Sequence, residues 1–490
     1  MSAHTPSSDA PAPFEFVLFG GTGDLAMRKI LPALYSAHRD GLLAPEGRIV
    51  AVAQNALDTA SYLHWVEKSV RPHLTPARFD EGAWRSFRER LSYVALDASQ
   101  PGAFSRLADA LSPASSRRIF YLATGPSLFV PICRALAQAG LAPSTSRIVL
   151  EKPLGYDLAS STAINDAVGR IFSEEQIYRI DHYLGKEAVQ NLFALRFANV
   201  MFEPLWRREW IDNIQITVAE ELGVGGRGGF YDQTGALRDM VQNHLLQLLA
   251  IVAMEPPRSM EADAVRDEKL RVLRALKPLG EEALHQSVVR GQYRAGVVRG
   301  ESVPGYLDES GIHADSTTET FVALKAEVEN WRWAGVPFFL RTGKRLARRV
   351  AEIVVTFKRP PHSTLGPTAL WAGPNRLTIQ LQPGESIRLS TLAKRPGLGM
   401  TLQGVYLDLA FDRFFQQDRM EAYQRLLLDV IAGRLALFVR RDEQDAAWRW
   451  VAPILDLKTA PRPYSAGTWG PAQASAMLAR YGTCWSEEEN

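Results

Sequence analysis

The sequence predicts two architectures in succession: a doubly wound parallel α/β sheet, then an α+β domain with a large, mostly antiparallel sheet and flanking helices. Three observations carry this. Short, continuously apolar runs alternate with helical stretches up to about residue 180, as in parallel sheets buried on both faces. Beyond that point apolar and polar residues alternate with period two, which marks antiparallel strands with one buried face. Glycines also follow the first apolar run directly, at the mouth of a helical pattern, where open α/β sheets bind their ligands.

Taken in order, residues Met1 to Pro13 are rich in Ser, Pro and Ala and read as a disordered lead-in. They lack the basic and apolar regions of a signal peptide. Phe14 to Phe19 is the first buried strand, and a helical pattern follows with Leu25, Ile30, Leu31 and Leu34 apolar and Pro32 a blemish. Ile49–Ala53, Ile119–Ala123 and Arg147–Leu150 are further strands, with helices expected over 61–70, 81–91, 104–111 and 128–139. Period-two alternation then covers Ile214–Val218, Ala351–Phe357, Leu377–Leu381 and Ile387–Leu389, with long helices at about 234–253, 261–276 and 420–436. The expected division is 1–13 lead-in, 14–185 dinucleotide-binding domain, and 186–490 substrate-binding and oligomerisation domain.

Composition narrows the class. The chain has 490 residues, 46% hydrophobic and 22% charged, with 56 basic against 54 acidic side chains. This is ordinary for a soluble globular protein of two or three domains. Arginine pairs such as Arg117-Arg118 and Arg348-Arg349 are scattered, so no nucleic-acid partner is expected. Two cysteines, Cys133 and Cys484, are too few for a disulfide framework and fit a reducing cytoplasm. The longest apolar stretch, Leu245 to Met254, is too short to cross a bilayer, so no membrane partner is expected.

Three segments carry chemistry. Gly21-Thr22-Gly23-Asp24-Leu25-Ala26 fits the strand–turn–helix phosphate pattern, in which the backbone approaches a pyrophosphate seated on a helix N-terminus. Arg179 to Glu187 crowds a carboxylate, an imidazole, a phenol and an ammonium together. A helix starting at Asp181 would put His182 and Lys186 at i,i+4, offering two donors to a dianionic group. The alternative is a solvated helix start with Asp181 as N-cap. His244 shares an apolar stripe with Leu237, Met240, Val241 and Leu248, which taken alone describes a core histidine.

Together these segments resemble a known family. Asp181-His182-Tyr183-Leu184-Gly185-Lys186-Glu187 is similar to the signature of glucose-6-phosphate dehydrogenases. Gly20 to Ala26, Glu151-Lys152-Pro153, Gln242-Asn243-His244 and Leu340-Arg341-Thr342-Gly343-Lys344 match that family in the same order. The resemblance runs from about residue 14 to the 380s. It implies a Rossmann-like first domain and oxidation of glucose 6-phosphate at C1 to the 1,5-lactone, with hydride passed to NAD(P)+. Such chemistry needs a base near neutral pKa and a carboxylate to orient it. The resemblance assigns these roles to His244 and Asp181. It also implies that His182, Tyr183 and Lys186 hold the 6-phosphate, and that Glu220, Asp239, Lys344 and Arg349 line the sugar pocket. Gly20, Gly21, Thr22, Gly23, Asp24, Leu25 and Gln54 fall to the coenzyme, with Lys29 and Lys152 between coenzyme and sugar.

Three positions depart from the family. Gln54-Asn55 stands where an arginine commonly meets the adenosine 2′-phosphate, Met27 where a lysine is frequent, and Thr124-Gly125-Pro126 replaces a proline-rich turn. Dual use of NADP and NAD is therefore expected. No metal is expected, because no His/Cys/carboxylate cluster with ligand spacing appears in the sequence. The resemblance further implies a homodimer or homotetramer. Rival readings are a different two-domain sugar dehydrogenase that shares Glu-Lys-Pro, and a nucleotide sensor without turnover.

Overall fold

The computed structural model describes residues 13–112, 117–362, 364–365, 373–414 and 420–489. The lead-in up to residue 12 lies outside them. The chain forms two compact units. The first comprises residues up to Gly185 together with Met260–Arg266 and Arg419–Arg441; the second comprises Lys186–Ser259, Asp267–Asp418 and Asp442–Asn490.

The first unit holds six strands: β1 (Glu15–Phe19), β2 (Arg48–Ala53), β3 (Leu91–Ala95), β4 (Arg118–Leu122), β5 (Arg147–Leu150) and β6 (Ile177–Arg179). They are parallel, in the order β3-β2-β1-β4-β5-β6. Alternate residues of β1 feed separate cores: Phe16 and Leu18 pack into one, Val17 and Phe19 into the other. That is why the strand reads as continuously apolar. The order reverses between β1 and β4, and the crevice at their carboxyl ends is where such sheets take ligands.

The first helix resolves the Pro32 blemish. Residues Ala26–Ile30 form a π-helical turn, and an α-helix begins at Leu31 with Pro32 in its opening turn, where a missing N–H costs least. The helix Ala422–Ala432 was expected with the second domain, yet its Leu426, Leu427, Val430 and Ile431 sit in the core beside Phe16 and Leu18. Apolar periodicity locates a helix face but carries no information about which sheet covers it.

The second unit is built on a nine-stranded sheet, ordered β16-β15-β14-β13-β7-β12-β11-β8-β17. Its members are β7 (Ile211–Ala219), β8 (Val288–Arg294), β11 (Phe321–Glu327), β12 (Pro337–Gly343), β13 (Val350–Phe357), β14 (Arg376–Gln382), β15 (Ser386–Lys394), β16 (Leu402–Ala410) and β17 (Arg462–Ser465). A separate hairpin pairs β9 (Gly296–Val298) with β10 (Glu301–Val303). The large sheet is mainly antiparallel, but β7 pairs β12 and β8 pairs β17 in parallel. Central strands β7 and β13 are almost wholly buried, whereas β15 and β16 are half-exposed. Among the described residues no helix is long and apolar enough to cross a membrane.

Candidate active site

The glycine turn of the first unit is dictated by close approach. Gly20 adopts φ 77°, and a Cβ there would lie 2.3 Å from the carbonyl oxygen of Ala123. A Cβ on Gly21 would lie 2.8 Å from that of Ala51. Both amides donate to the Val52 carbonyl, at 2.8 and 3.0 Å, which ties the turn across the first two strands. Gly23 donates to the Gly20 carbonyl, and helix starts at Asp24. Any side chain at the first two positions would push the backbone off the sheet.

Beside this turn lies a cleft of about 280 Å³, walled by Gly20, Thr22, Gly23, Gln54, Asn55 and Asp97 among others. Thr22 donates its hydroxyl to Asn55 Oδ1 at 2.8 Å, linking the phosphate turn to the end of β2. The Thr124 hydroxyl, also in the wall, is buried without a hydrogen-bond partner. Buried polar groups are nearly always paired, so this orphan suits the polar edge of a ligand. Tight glycine turn, helix start and orphan hydroxyl together fit a dinucleotide. Asp97 was not anticipated in the sequence; it follows β3, a strand that the apolar pattern left unmarked. Its carboxylate is held below the usual range by the hydroxyl and amide of Ser99. Met27 is buried in the core, where a lysine would lose its hydration. Lys29, two residues along, is exposed.

Lys152 follows β5 at its carboxyl end, half-buried and joined to Pro153 by a cis bond. Its neighbour Glu151 is buried and accepts from two phenols, Tyr121 at 2.5 Å and Tyr423 at 3.2 Å. Burial pushes the Glu151 carboxyl up, against the lowering effect of those hydroxyls and of Lys152. Tyr423 then lays its ring against that of His182, with centroids 6.2 Å apart and planes 12° from parallel. This tyrosine escaped the sequence reading because it stands 272 positions from Glu151, and no local pattern marks such a contact.

The segment after β6 corrects one expectation. Residues 182–185 form a turn, and helix begins only at Glu187 with Lys186 as its N-cap. Asp181 Oδ1 accepts the Tyr183 amide at 2.9 Å and its carbonyl accepts that of Leu184 at 3.1 Å. An aspartate that captures the amide two residues on competes with helix formation. The i,i+4 helical face joining His182 to Lys186 therefore does not form. Gly185 fits closely as well, since a Cβ there would lie 2.7 Å from the Ala422 carbonyl oxygen. Asp181 and Tyr183 are buried, and His182 and Lys186 are half-buried.

In the second unit, sheet register brings together Glu220, Lys344 and Arg349, three of the residues that the resemblance assigns to the sugar pocket. β7 and β12 run parallel with Ala219 opposite Gly343, so Glu220 and Lys344 emerge side by side. Lys344 Nζ donates to Glu220 Oε2 at 2.5 Å and lies 5.0 Å from the centre of the Tyr231 ring. β13 opens with Val350 opposite Ala219, which brings Arg349, exposed, to the same end. Tyr231 was missed in the sequence; burial raises its phenol pKa, aided by the charges of Asp239, Glu319 and Glu220.

His244 and Asp239 lie on a π-helix, Leu237–Leu245, between α-helices Gly228–Ala236 and Leu246–Ala253. The sequence expected one continuous α-helix here. The break has a cause: Gly235 takes φ 68°, and the Glu319 carboxylate caps the new start by accepting the Leu237 amide at 3.0 Å. A Cβ on Gly235 would lie 2.5 Å from that carboxylate. Hydrogen bonds run i→i+5 in a π-helix, so Asp239 and His244, five apart, stand about one turn from each other. Both flanking α-helices would place them differently. His244 is fully buried.

Residues 17–191 match the family described as glucose-6-phosphate dehydrogenase, NAD binding domain, and residues 193–486 match its C-terminal domain. The chain is 51% identical over 483 residues to the glucose-6-phosphate 1-dehydrogenase of Rhizobium meliloti, covering 97% of this chain and 98% of that one. It is 50% identical over 477 residues to the enzyme of that name from Zymomonas mobilis, covering 96% and 98%. Among solved structures, a glucose-6-phosphate dehydrogenase in complex with its substrate glucose-6-phosphate superimposes with TM-score 0.89 at 34% identity, covering 96% of this chain and 98% of that chain. The Mycobacterium avium glucose-6-phosphate 1-dehydrogenase superimposes with TM-score 0.86 at 38% identity, covering 97% and 99%.

Proposed function

We propose a division of labour among the residues of this chain, which belongs to the glucose-6-phosphate dehydrogenase family. The protein is an NAD(P)-dependent dehydrogenase that oxidises D-glucose 6-phosphate to 6-phospho-D-glucono-1,5-lactone, the first step of the oxidative pentose phosphate pathway. The observation that carries this is near-full-length identity of about half to enzymes of that name. The coenzyme, when bound, accepts hydride from C1.

In the proposed mechanism His244 takes the proton of the C1 hydroxyl as the C–H electron pair leaves, and the C1–O bond becomes the lactone carbonyl. Asp181 orients the imidazole and stabilises its cation. His182, Tyr183 and Lys186 hold the 6-phosphate through charge-assisted hydrogen bonds. Glu220, Asp239, Lys344 and Arg349 line the sugar hydroxyls; the Lys344–Glu220 pair and the register of their strands support that grouping. Gly20, Gly21, Thr22, Gly23, Asp24 and Leu25 cradle the coenzyme phosphates, Gln54 meets the ribose, and Lys29 and Lys152 stand where coenzyme and sugar meet. No metal enters the proposed mechanism, since His244 supplies the base.

We read the coenzyme choice as dual, NADP and NAD, because neutral Gln54 and Asn55 wall the cleft where a cation would select the 2′-phosphate. A homodimer or dimer of dimers through the half-exposed β15–β16 end of the sheet, in the cytoplasm, completes the proposal. The test is nicotinamide reduction with glucose 6-phosphate and, in parallel, with glucose. Strong preference for the phosphorylated sugar supports the reading, and equal rates would return it to a non-phosphorylated sugar dehydrogenase.

A further inference from the structure

A basic pocket lies in the second unit, apart in sequence from the residues given a role above. It encloses about 460 Å³ between the helix Glu281–Ser287, the start of β8, the loop 457–460, β17 and the helix Ala472–Ala479. Arg290, Arg462, Arg480 and His285 line it, and its wall contains no acidic residue. Buried Leu284 and Met477 form an apolar floor.

Two features separate this pocket from an ordinary arginine-rich surface, and a third, a buried unpaired Nε, is shared with Arg345. Among the described residues, none of these four cations has a carboxylate within ion-pair distance, whereas Arg332, Arg341 and Arg345 all do. Arg290 is pre-positioned: its Nη2 donates to the Leu457 carbonyl at 2.8 Å and to that of Thr459, which shapes the wall. Its Nε is buried with no hydrogen-bond partner. A buried unpaired donor on a fixed guanidinium costs stability unless a ligand takes it. The carboxyl that senses Arg290 through space is Glu319, which is buried and outside the wall.

The larger hollow around Arg207, Arg208 and Arg332, about 830 Å³, shows the contrast, since Glu209, Glu255 and Glu329 stand in its wall and balance those charges. From these observations we propose that the pocket of Arg290, Arg462, Arg480 and His285 binds a multiply charged phosphoryl anion. Guanidinium groups match phosphate oxygens with paired donors, and several cations around one small volume favour two or more phosphoryl groups over one. Such a ligand would bridge the loop 457–460, the first residues of β8 and the helix 472–479. It would hold the C-terminal segment to the sheet edge.

The test uses inorganic triphosphate as probe, titrated calorimetrically into the full-length protein in saturating glucose 6-phosphate, at constant ionic strength. One saturable site is expected, with orthophosphate at least about 10-fold weaker and the unfolding midpoint rising by about 2 °C or more at saturation. The exposed pair Arg462→Ser/Arg480→Ser should weaken triphosphate binding at least about 10-fold while leaving KM for glucose 6-phosphate and for the coenzyme unchanged. Arg290→Lys, which keeps the charge but loses the fork, should weaken it too. Absence of saturable binding at millimolar triphosphate would overturn the proposal, as would binding that survives the double substitution.

Discussion

His182 opens a turn and Lys186 follows it, both half-buried, and their proposed work is to hold a dianion. Lys186→Ala removes a charge-assisted hydrogen bond worth about 1.5–3 kcal/mol. The loss is expected in KM for glucose 6-phosphate, about 10- to 100-fold, with activity on free glucose nearly unchanged. Steady-state kinetics with both sugars check this, and equal damage to both would give Lys186 a structural role.

Glu151 makes a second residue-scale prediction, on stability. Burial raises its carboxyl pKa above the unfolded value, so the folded state binds that proton more tightly. Its contribution to stability is therefore full below the ordinary glutamate pKa, about 4.3, and is lost as pH rises through the folded value. Glu151→Gln cannot titrate. Denaturant unfolding between pH 5 and 8 should show wild-type stability falling relative to the variant as pH rises. A widening advantage for wild type at high pH would mean that the two phenols and Lys152 hold Glu151 as an anion.

At the level of secondary structure, the proposed dual coenzyme use rests on what the strand ends bring to one cleft. Strand β2 delivers neutral Gln54 and Asn55, and strand β3 delivers Asp97 to the same cleft. A carboxylate there repels a 2′-phosphate, and nothing cationic in the cleft wall offsets it. Gln54→Arg is expected to shift preference toward NADP+ by about 1–2 kcal/mol, or 5- to 30-fold in the ratio of kcat/KM values. Asp97→Asn should shift it the same way by less. A wild-type ratio above about a thousand for NADP+, some 4 kcal/mol, would contradict dual use.

The same scale shows what could be read in advance. Strands β1, β2, β4 and β5 were legible because burial on both faces leaves continuous apolar runs. β6 was not, having only three residues, and β3 was not, because it is buried at alternate positions at best and begins only three residues after a helix ends. The proposed site residues were grouped in the sequence by contiguous motifs, Gly20 to Ala26, Glu151 to Pro153, Asp181 to Glu187 and Leu340 to Lys344. The turn at Asp181 was not, because a side-chain capture of the Tyr183 amide replaced the helix that spacing suggested. The π-helix under His244 depends on Gly235 and on Glu319, 75 positions beyond His244 and on another element, so its register could not be foreseen. Tyr231 and Tyr423 escaped for the same reason.

For the whole molecule, the nine-stranded sheet leaves its β15–β16 end poorly covered. In β16, Tyr406 and Leu407 are each 63% exposed and Leu409 is 36% exposed. An edge of this kind invites pairing or covering, and isologous contact between two copies is the common solution. Sedimentation is expected to give a dimer or tetramer, and Leu407→Lys with Tyr406→Glu should shift it toward monomer. A wild-type monomer at micromolar concentration would remove the proposed assembly.

The proposed mechanism has a buried imidazole on a π turn take the proton of the sugar hydroxyl while the coenzyme, when bound, accepts the hydride. The most direct test is the turnover of His244→Asn with glucose 6-phosphate at saturating coenzyme. Asparagine keeps the shape and some of the hydrogen bonding but cannot accept the proton. The expected kcat is lower by about 10²- to 10⁴-fold, with KM for glucose 6-phosphate little changed. Turnover within a few-fold of wild type would contradict it.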